Sequence, residues 1–312
     1  MAYIWQLSAV QLGGKTWVAG TVLSGKEGGH SSPSSIIGNT ARILRSYFRP
    51  TYSKREIYIK TDTATAKVRT SRKGHFSVIF DLPSDSGIEM HTDKGEELAI
   101  PQDYPAFFQN TASPVEVISD LDDTVLLSHT ASLFKRIGTI LFVLPRKRKP
   151  VVFTYELFQH FQGLNFRITY LSKSESNLFS LIAGVLRHNR LPAGPLLLTP
   201  YLRFRQLFNP KKGKDYKLRH LQTFMDNMPH KRFILLGDDT QRDMEVYTEI
   251  AKQYPSQVLM VYIRQTGFGR SERQQELWEK LADTNVNAMY FNDGDSADEA
   301  LIRLDSLIEE ED

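Results

Sequence analysis

The chain has 312 residues, 41% of them hydrophobic and 24% charged, with a formal net charge of +3; this suits one large or two ordinary globular domains with a buried core. It has no cysteine, which excludes disulfides, thiolate zinc sites, iron–sulfur clusters and thiol catalysis. The opening "MAYIWQLSAVQLGG" lacks a basic segment followed by a long apolar core, and the longest apolar run, "IGTILFVL" at 137–144, is too short to span a bilayer. The expectation is a cytoplasmic chain that is dissolved or rests peripherally on a membrane.

The first predicted elements are β-like. "TWVAGTVLSG", "REIYIKTD" and "TAKVRTSRKGHFSVIFDLP" are short alternating runs broken by turn residues, and the "SRKG" within the last reads as a hairpin turn. Between them, 25–35 is a polar loop and 35–48 has the amphipathic pattern of a helix crossing this small β region. From about 115 the texture changes. Strand-like runs at 115–120, 166–172, 195–199, 232–238, 257–264 and 288–291 alternate with helical patterns at 151–164, 177–190, 218–228, 243–254 and 272–283. Near-continuous apolar strands separated by amphipathic helices predict an α/β, Rossmann-like parallel sheet covered on both faces. The predicted division is a β-rich region over 1–112 and an α/β region over 113–312.

Two strand-like runs end in dense carboxylates, "ISDLDDT" at 118–124 and "ILLGDDTQRD" at 234–243. Asp is a poor strand former, and crowded negative charge is unfavourable unless a cation or a reaction uses it. In α/β sheets, sites form beyond the carboxyl ends of the strands. Both motifs fall there, with "YLSKS" after the second strand and a Lys-rich segment before the fourth. In an extended segment residues i and i+2 point the same way, so Asp120 and Asp122 face one pocket. Asp120 is poised as nucleophile and metal ligand, and Asp122 as a partner in proton exchange and a further candidate metal ligand. Asp238 completes an oxygen-only cation site with Asp239 or Asp243 in support, which matches a hard cation of the Mg²⁺ type. A calcium loop fits poorly, with Val125 at its sixth position instead of Gly and Ala131 at its twelfth instead of Glu.

"SDLDDT", "YLSKS", a Lys ahead of a helix and "LLGDDTQRDMEVY" resemble, in this order, the four motifs of the haloacid dehalogenase-like phosphatases. More narrowly, "YLSKSESNLFSLI…LPAGPLLL" and "GDDTQRDMEVYTEIA" resemble the actin-patch-type phosphatidate phosphatases and their bacterial relatives, over about 115–265. The resemblance implies a haloacid dehalogenase-like fold with a small cap insertion. It also implies Mg²⁺-dependent hydrolysis of phosphatidate to diacylglycerol through an aspartyl-phosphate. On this resemblance Asp120 is the nucleophile and Asp122 the general acid and base, while Thr124 braces the first loop and Ser172 holds a phosphoryl oxygen. Lys217, with Lys214 as the alternative, offsets phosphoryl charge. Asp238 binds Mg²⁺ and Asp243 orients its shell. The chain departs from the family where Asp239, Thr240 and Met244 replace Ser, Gly and Pro, and where Lys173 and Glu175 replace Asn and Pro.

The insertion at 125–150 lies where this superfamily places a cap, and its apolar run ends in "RKRK" at 146–149. Such an arrangement suits either an anionic membrane or a buried helix with a basic solvated end. His129 is a candidate substrate contact or a structural histidine. Arg203, Arg205, Lys211 and Lys212 could collect phosphate, with Tyr201, Phe204 and Phe208 as apolar anchors among them. No recognition-helix or aromatic-platform signature points to nucleic acid. The expected partner is a phosphate ester, foremost an anionic phospholipid. A soluble phosphate ester and a non-catalytic phospholipid-binding module stand as alternatives, and the sequence leaves the oligomeric state open.

Overall fold

A computed structural model of the chain describes residues 1–25, 45–61, 64–81, 88–121, 124–125, 151–201, 214–240 and 242–309. The expected cap insertion and the basic runs at 146–149 and 203–213 lie outside the described residues. So do most of the polar loop at 25–35 and of the amphipathic pattern at 35–48.

The N-terminal region contains β1 (Ala2–Leu12), β2 (Lys15–Ser24), β3 (Glu56–Lys60), β4 (Thr65–Arg69), β5 (His75–Phe80), β6 (Glu89–Thr92) and β7 (Phe107–Phe108). They form a four-stranded sheet, β5–β2–β1–β7, and a three-stranded sheet, β4–β3–β6. β1 and β2 pair antiparallel from Leu12↔Lys15 outward, across a Gly13–Gly14 turn in which Gly13 has φ +61°. The hairpin expected around "SRKG" is corrected. The turn is present, with Gly74 at φ +72° and Ser71 Oγ accepting from the amides of Lys73 and His75. The strands on either side part, however: β4 pairs with β3 and β5 with β2. Both alternate and both turn apolar residues into one β core, but each is hydrogen-bonded into a different sheet.

The second region holds β8 (Val115–Ser119), α1 (Val152–Gly163), β9 (Arg167–Glu175), α2 (Phe179–His188), β10 (Leu196–Thr199), α3 (Lys214–Asn227), β11 (Arg232–Asp238), α4 (Asp243–Gln253), β12 (Val258–Arg264), α5 (Glu272–Ala282), β13 (Ala288–Phe291) and α6 (Asp298–Glu309). The six strands form one parallel sheet in the order β10–β9–β8–β11–β12–β13. This is the α/β parallel sheet expected from sequence. The helix placed at 218–228 starts earlier, at Lys214, and α6 adds a helix beyond those expected.

Alternate residues of β11 separate two cores. Ile234 and Leu236 face a cluster with Phe153, Leu157 and Phe158 of α1 and Leu304 of α6. Phe233 and Leu235 face Leu221 and Phe224 of α3 and Ile250 of α4. The second cluster also contains Val10 and Leu12 of β1 and Trp17 and Ala19 of β2. The β region therefore shares a core with the α/β region. β1 lacks alternation because both its faces are covered. Leu7 and Ala9 point into the β core, while Gln6 Nε2 and Ser8 Oγ donate to the Leu196 carbonyl of β10 at 3.2 and 3.1 Å. At the other end of the sheet, buried Arg167 donates to Glu116 Oε2 at 2.8 Å and to the carbonyls of Gln11 and Gln109 at 2.8 and 3.0 Å. Among the described residues no helix is long and apolar enough to cross a membrane.

Candidate active site

Numbered by their own succession, the six strands lie in the order 3-2-1-4-5-6, so consecutive strands turn to opposite sides at β8 and β11. The carboxyl ends of two such strands bound the crevice in which α/β sheets bind ligands. Asp120 follows β8 directly, and its amide donates to the Leu236 carbonyl of β11 at 2.8 Å. Asp238 is the last residue of β11 and Asp243 the first of α4. The carboxylates of Asp120, Asp238 and Asp243 offer ligand atoms that all lie within 4.8 Å of one another. Each is at most 1% exposed.

Lys217 supplies the counter-charge. Its Nζ donates to Asp120 Oδ1 at 2.7 Å and to Asp243 Oδ1 at 2.5 Å. The residue is 1% exposed. It lies in the first turns of α3, on the stripe that continues through Leu221, Phe224 and Met225 into the core. Burial alone lowers the Lys217 pKa, but Asp120 and Asp243 outweigh it and hold the ammonium above the usual lysine range. At Asp238 the balance goes the other way. Burial, then the neighbouring Asp243, push its pKa up to about 6, against the opposing pull of Thr240 and Lys217. The Thr240 amide and Oγ1 donate to Asp238 Oδ1 at 2.6 and 2.5 Å and fix that carboxylate.

Two positioning residues carried no signal of their own in the sequence. Gly237 gives Asp243 its room, since a Cβ there would sit 2.8 Å from Asp243 Cβ, Asp243 Oδ2 and a Tyr247 ring carbon. Tyr247 is buried, and its hydroxyl donates to the Leu236 carbonyl at 2.7 Å, tying α4 to β11. A glycine wedged between a strand and an acidic helix start is the one cue that could have flagged this contact.

Of the residues expected at the site, the structure brings together Asp120, Lys217, Asp238 and Asp243. Ser172 lies in β9 two residues past Tyr170, which pairs with Ser119, and itself pairs with Leu198 of β10. It is buried, and its Oγ accepts from the Ser174 amide at 3.0 Å. Thr124 is buried as well, and its carbonyl accepts from Thr154 Oγ1 of α1 at 2.8 Å. The structure does not bring Asp239 to the cluster. Its Oδ1 accepts from the Thr266 amide and Oγ1 at 3.1 and 2.6 Å, and its Oδ2 accepts from the Tyr290 hydroxyl at 2.9 Å. That carboxylate braces the loop after β12. Asp122, His129 and the Lys214 side chain lie outside the described residues. A groove of about 580 Å³ lined by Gln102, Tyr104, Arg187 and Arg190 sits by the C-terminal ends of α1 and α2, at the opposite edge of the sheet, and is no part of this site.

Three buried, all-oxygen donors fit a hard divalent cation. The raised pKa of Asp238 agrees with this, because burial and then the neighbouring Asp243 disfavour its charge even with Lys217 close by.

Residues 115–265 match the family model of the phosphatidate phosphatase APP1 catalytic domain. The chain is 29% identical over 220 residues to phosphatidate phosphatase APP1 of Saccharomyces cerevisiae, covering 66% of this chain and 36% of the yeast protein. It is 22% identical over 155 residues to an uncharacterised protein of Schizosaccharomyces pombe, covering 48% of this chain and 25% of that protein. The chain thus spans between a quarter and about a third of the length of these curated relatives. A class C acid phosphatase from Bacillus anthracis with tungstate bound shares 13% identity at a TM-score of 0.30, over 57% of this chain and 82% of that one. A carbohydrate acetylesterase from Xanthomonas citri shares 12% at 0.28, over 91% and 65%. Likenesses this slight carry no weight. Over residues 115–265 the chain is thus similar to the phosphatidate phosphatase APP1 catalytic domain.

Proposed function

We propose that the chain is a haloacid dehalogenase-like, Mg²⁺-dependent phosphatase that hydrolyses phosphatidate to diacylglycerol through an aspartyl-phosphate. The observation that carries this reading is the Lys217 ammonium bonded to Asp120 and Asp243, with Asp238 beside them, at the β8/β11 crevice.

In the first step the Asp120 carboxylate attacks phosphorus, the ester P–O bond breaks, and Asp122 gives its proton to the leaving alkoxide. In the second, Asp122 takes a proton from water as that water attacks the phosphoryl group, which releases phosphate and restores Asp120. Lys217 offsets negative charge on the transferring group, and Ser172 holds one of its oxygens. Asp120, Asp238 and Asp243 would hold or orient Mg²⁺, which when bound supplies electrostatic stabilisation to the phosphoryl oxygens. Burial suits this chemistry because charge interactions strengthen where water is excluded.

The lipid substrate draws support from the family and from Phe268. This side chain is fully exposed between Gly267 and Gly269, in the loop that follows the carboxyl end of β12. An apolar tip at the edge that carries the site suits a lipid surface. Purified protein assayed with Mg²⁺ should release phosphate faster from phosphatidate in mixed micelles than from water-soluble monoesters. Equal or faster turnover of soluble esters removes the lipid assignment and keeps the reaction. Phosphate release from neither removes both.

A further inference from the structure

We propose that Lys173 is a second phosphoryl-binding cation of this site, one that the strand irregularity at the end of β9 aims into the crevice. The inference rests on the phosphatase reading above and adds a specificity-determining residue to it.

The backbone carries the inference first. β9 and β10 run in register as far as Ser172↔Leu198, and the next residue of β10, Thr199, pairs with Glu175. Lys173 and Ser174 are therefore extra residues in β9. Such bulges re-aim side chains and recur beside active sites. This one is fastened on both sides. Thr199 Oγ1 lies 3.1 Å from the Lys173 carbonyl and 3.2 Å from that of Ser174, and the Ser174 amide donates to Ser172 Oγ at 3.0 Å. A strand in regular pairing would need none of these contacts.

Charge carries it further. Lys173 is half-buried, and its ammonium has no hydrogen bond or ion pair among the described residues. Desolvation and then Lys217 lower its pKa, while Asp243, Asp120 and Asp238 act in the opposite direction, so its field overlaps that of the whole cluster. Three carboxylates face one bonded ammonium there. A divalent cation would only neutralise the remainder, leaving little net attraction for a phosphate monoester dianion. A second ammonium, on the residue that follows Ser172 and within the field of the carboxylates, corrects that balance. A lysine whose role was only packing would not need this position in the field.

The test uses Lys173→Met and Lys173→Arg in the full chain, with inorganic phosphate and Mg²⁺ titrated calorimetrically. Lys173→Met should weaken Mg²⁺-dependent phosphate binding about tenfold or more. It should also tighten Mg²⁺ binding measured without phosphate, because a repelling charge is gone. Lys173→Arg should keep phosphate affinity within about threefold of wild type. Opposite changes in the two affinities are something a packing defect does not produce. Unchanged phosphate affinity in Lys173→Met overturns the assignment of Lys173 and leaves the phosphatase reading intact. Loss of both ions by Lys173→Met with equal loss by Lys173→Arg overturns it too. A wild type that binds no phosphate in the presence of Mg²⁺ overturns both readings.

Discussion

A lysine 1% exposed stays charged inside a protein only when carboxylates meet it, and Lys217 meets two. Removing it leaves Asp120, Asp238 and Asp243 buried without that counter-ion, so Lys217→Met should lose about 3–5 kcal/mol of stability. Mg²⁺ should restore more stability to Lys217→Met than to wild type, since the vacated carboxylates gain a cation. Denaturant unfolding of both proteins with and without Mg²⁺ checks this; equal Mg²⁺ increments would contradict it. At this scale the carboxylates were legible because acidic residues at strand ends are costly and need a reason. Lys217 was legible from motif order, and its place on an apolar helical stripe is a second cue. Asp239 was not, because its partners Thr266 and Tyr290 arrive from segments far along the chain. The need for Gly237 was equally hidden, since it arises only when α4 closes on β11.

The strands and helices after 115 could be read because a parallel sheet buries its strands on both faces and leaves continuous apolar runs. The same burial hid β1. Its residues face two cores, so the two-residue alternation that signals a surface strand is absent. The hairpin expected at "SRKG" failed for a related reason, because a turn's chemistry is local and strand pairing is not. We propose that the chain divides near 112, into 1–112 and 113–312, but the halves are not independent. Trp5 Nε1 donates to the Ser176 carbonyl just beyond β9 at 2.7 Å, and Trp17 packs at 5.7 Å against Phe224 of α3. A fragment comprising 113–312 should therefore expose the α3 face and the edge of β10, and lose cooperative unfolding. A fragment with a sharp transition and wild-type midpoint would show that the β region is dispensable to the fold.

Taken whole, the molecule should respond to acid in two separable ways. Burial lowers the pKa of His75 and of His220 to about 4, below the ordinary value of about 6.5. His220 lies between Trp17 and Tyr216, at ring distances of 5.0 and 4.0 Å. Between these pH values the folded state binds fewer protons than the unfolded state. The histidine contribution is thus complete above about pH 6.5 and is lost as pH falls towards 4. His220→Asn should flatten that loss in a denaturant series, and an unchanged slope would refute the assignment. Asp238 has the opposite sense, with a folded pKa pushed up to about 6. In the metal-free protein it costs stability as pH rises from about 4 to 6, and a bound cation favours its charged form. The thermal shift given by Mg²⁺ should accordingly fade below about pH 6. All of this serves one claim, that the carboxyl ends of β8 and β11 assemble a phosphoryl-transfer site around Asp120. The most direct measurement is phosphate release from phosphatidate by wild type and Asp120→Asn, each with Mg²⁺ and with chelator. Release only by wild type with Mg²⁺, at least about 1,000-fold above Asp120→Asn, is the predicted result. Comparable release by a folded Asp120→Asn protein would contradict the account.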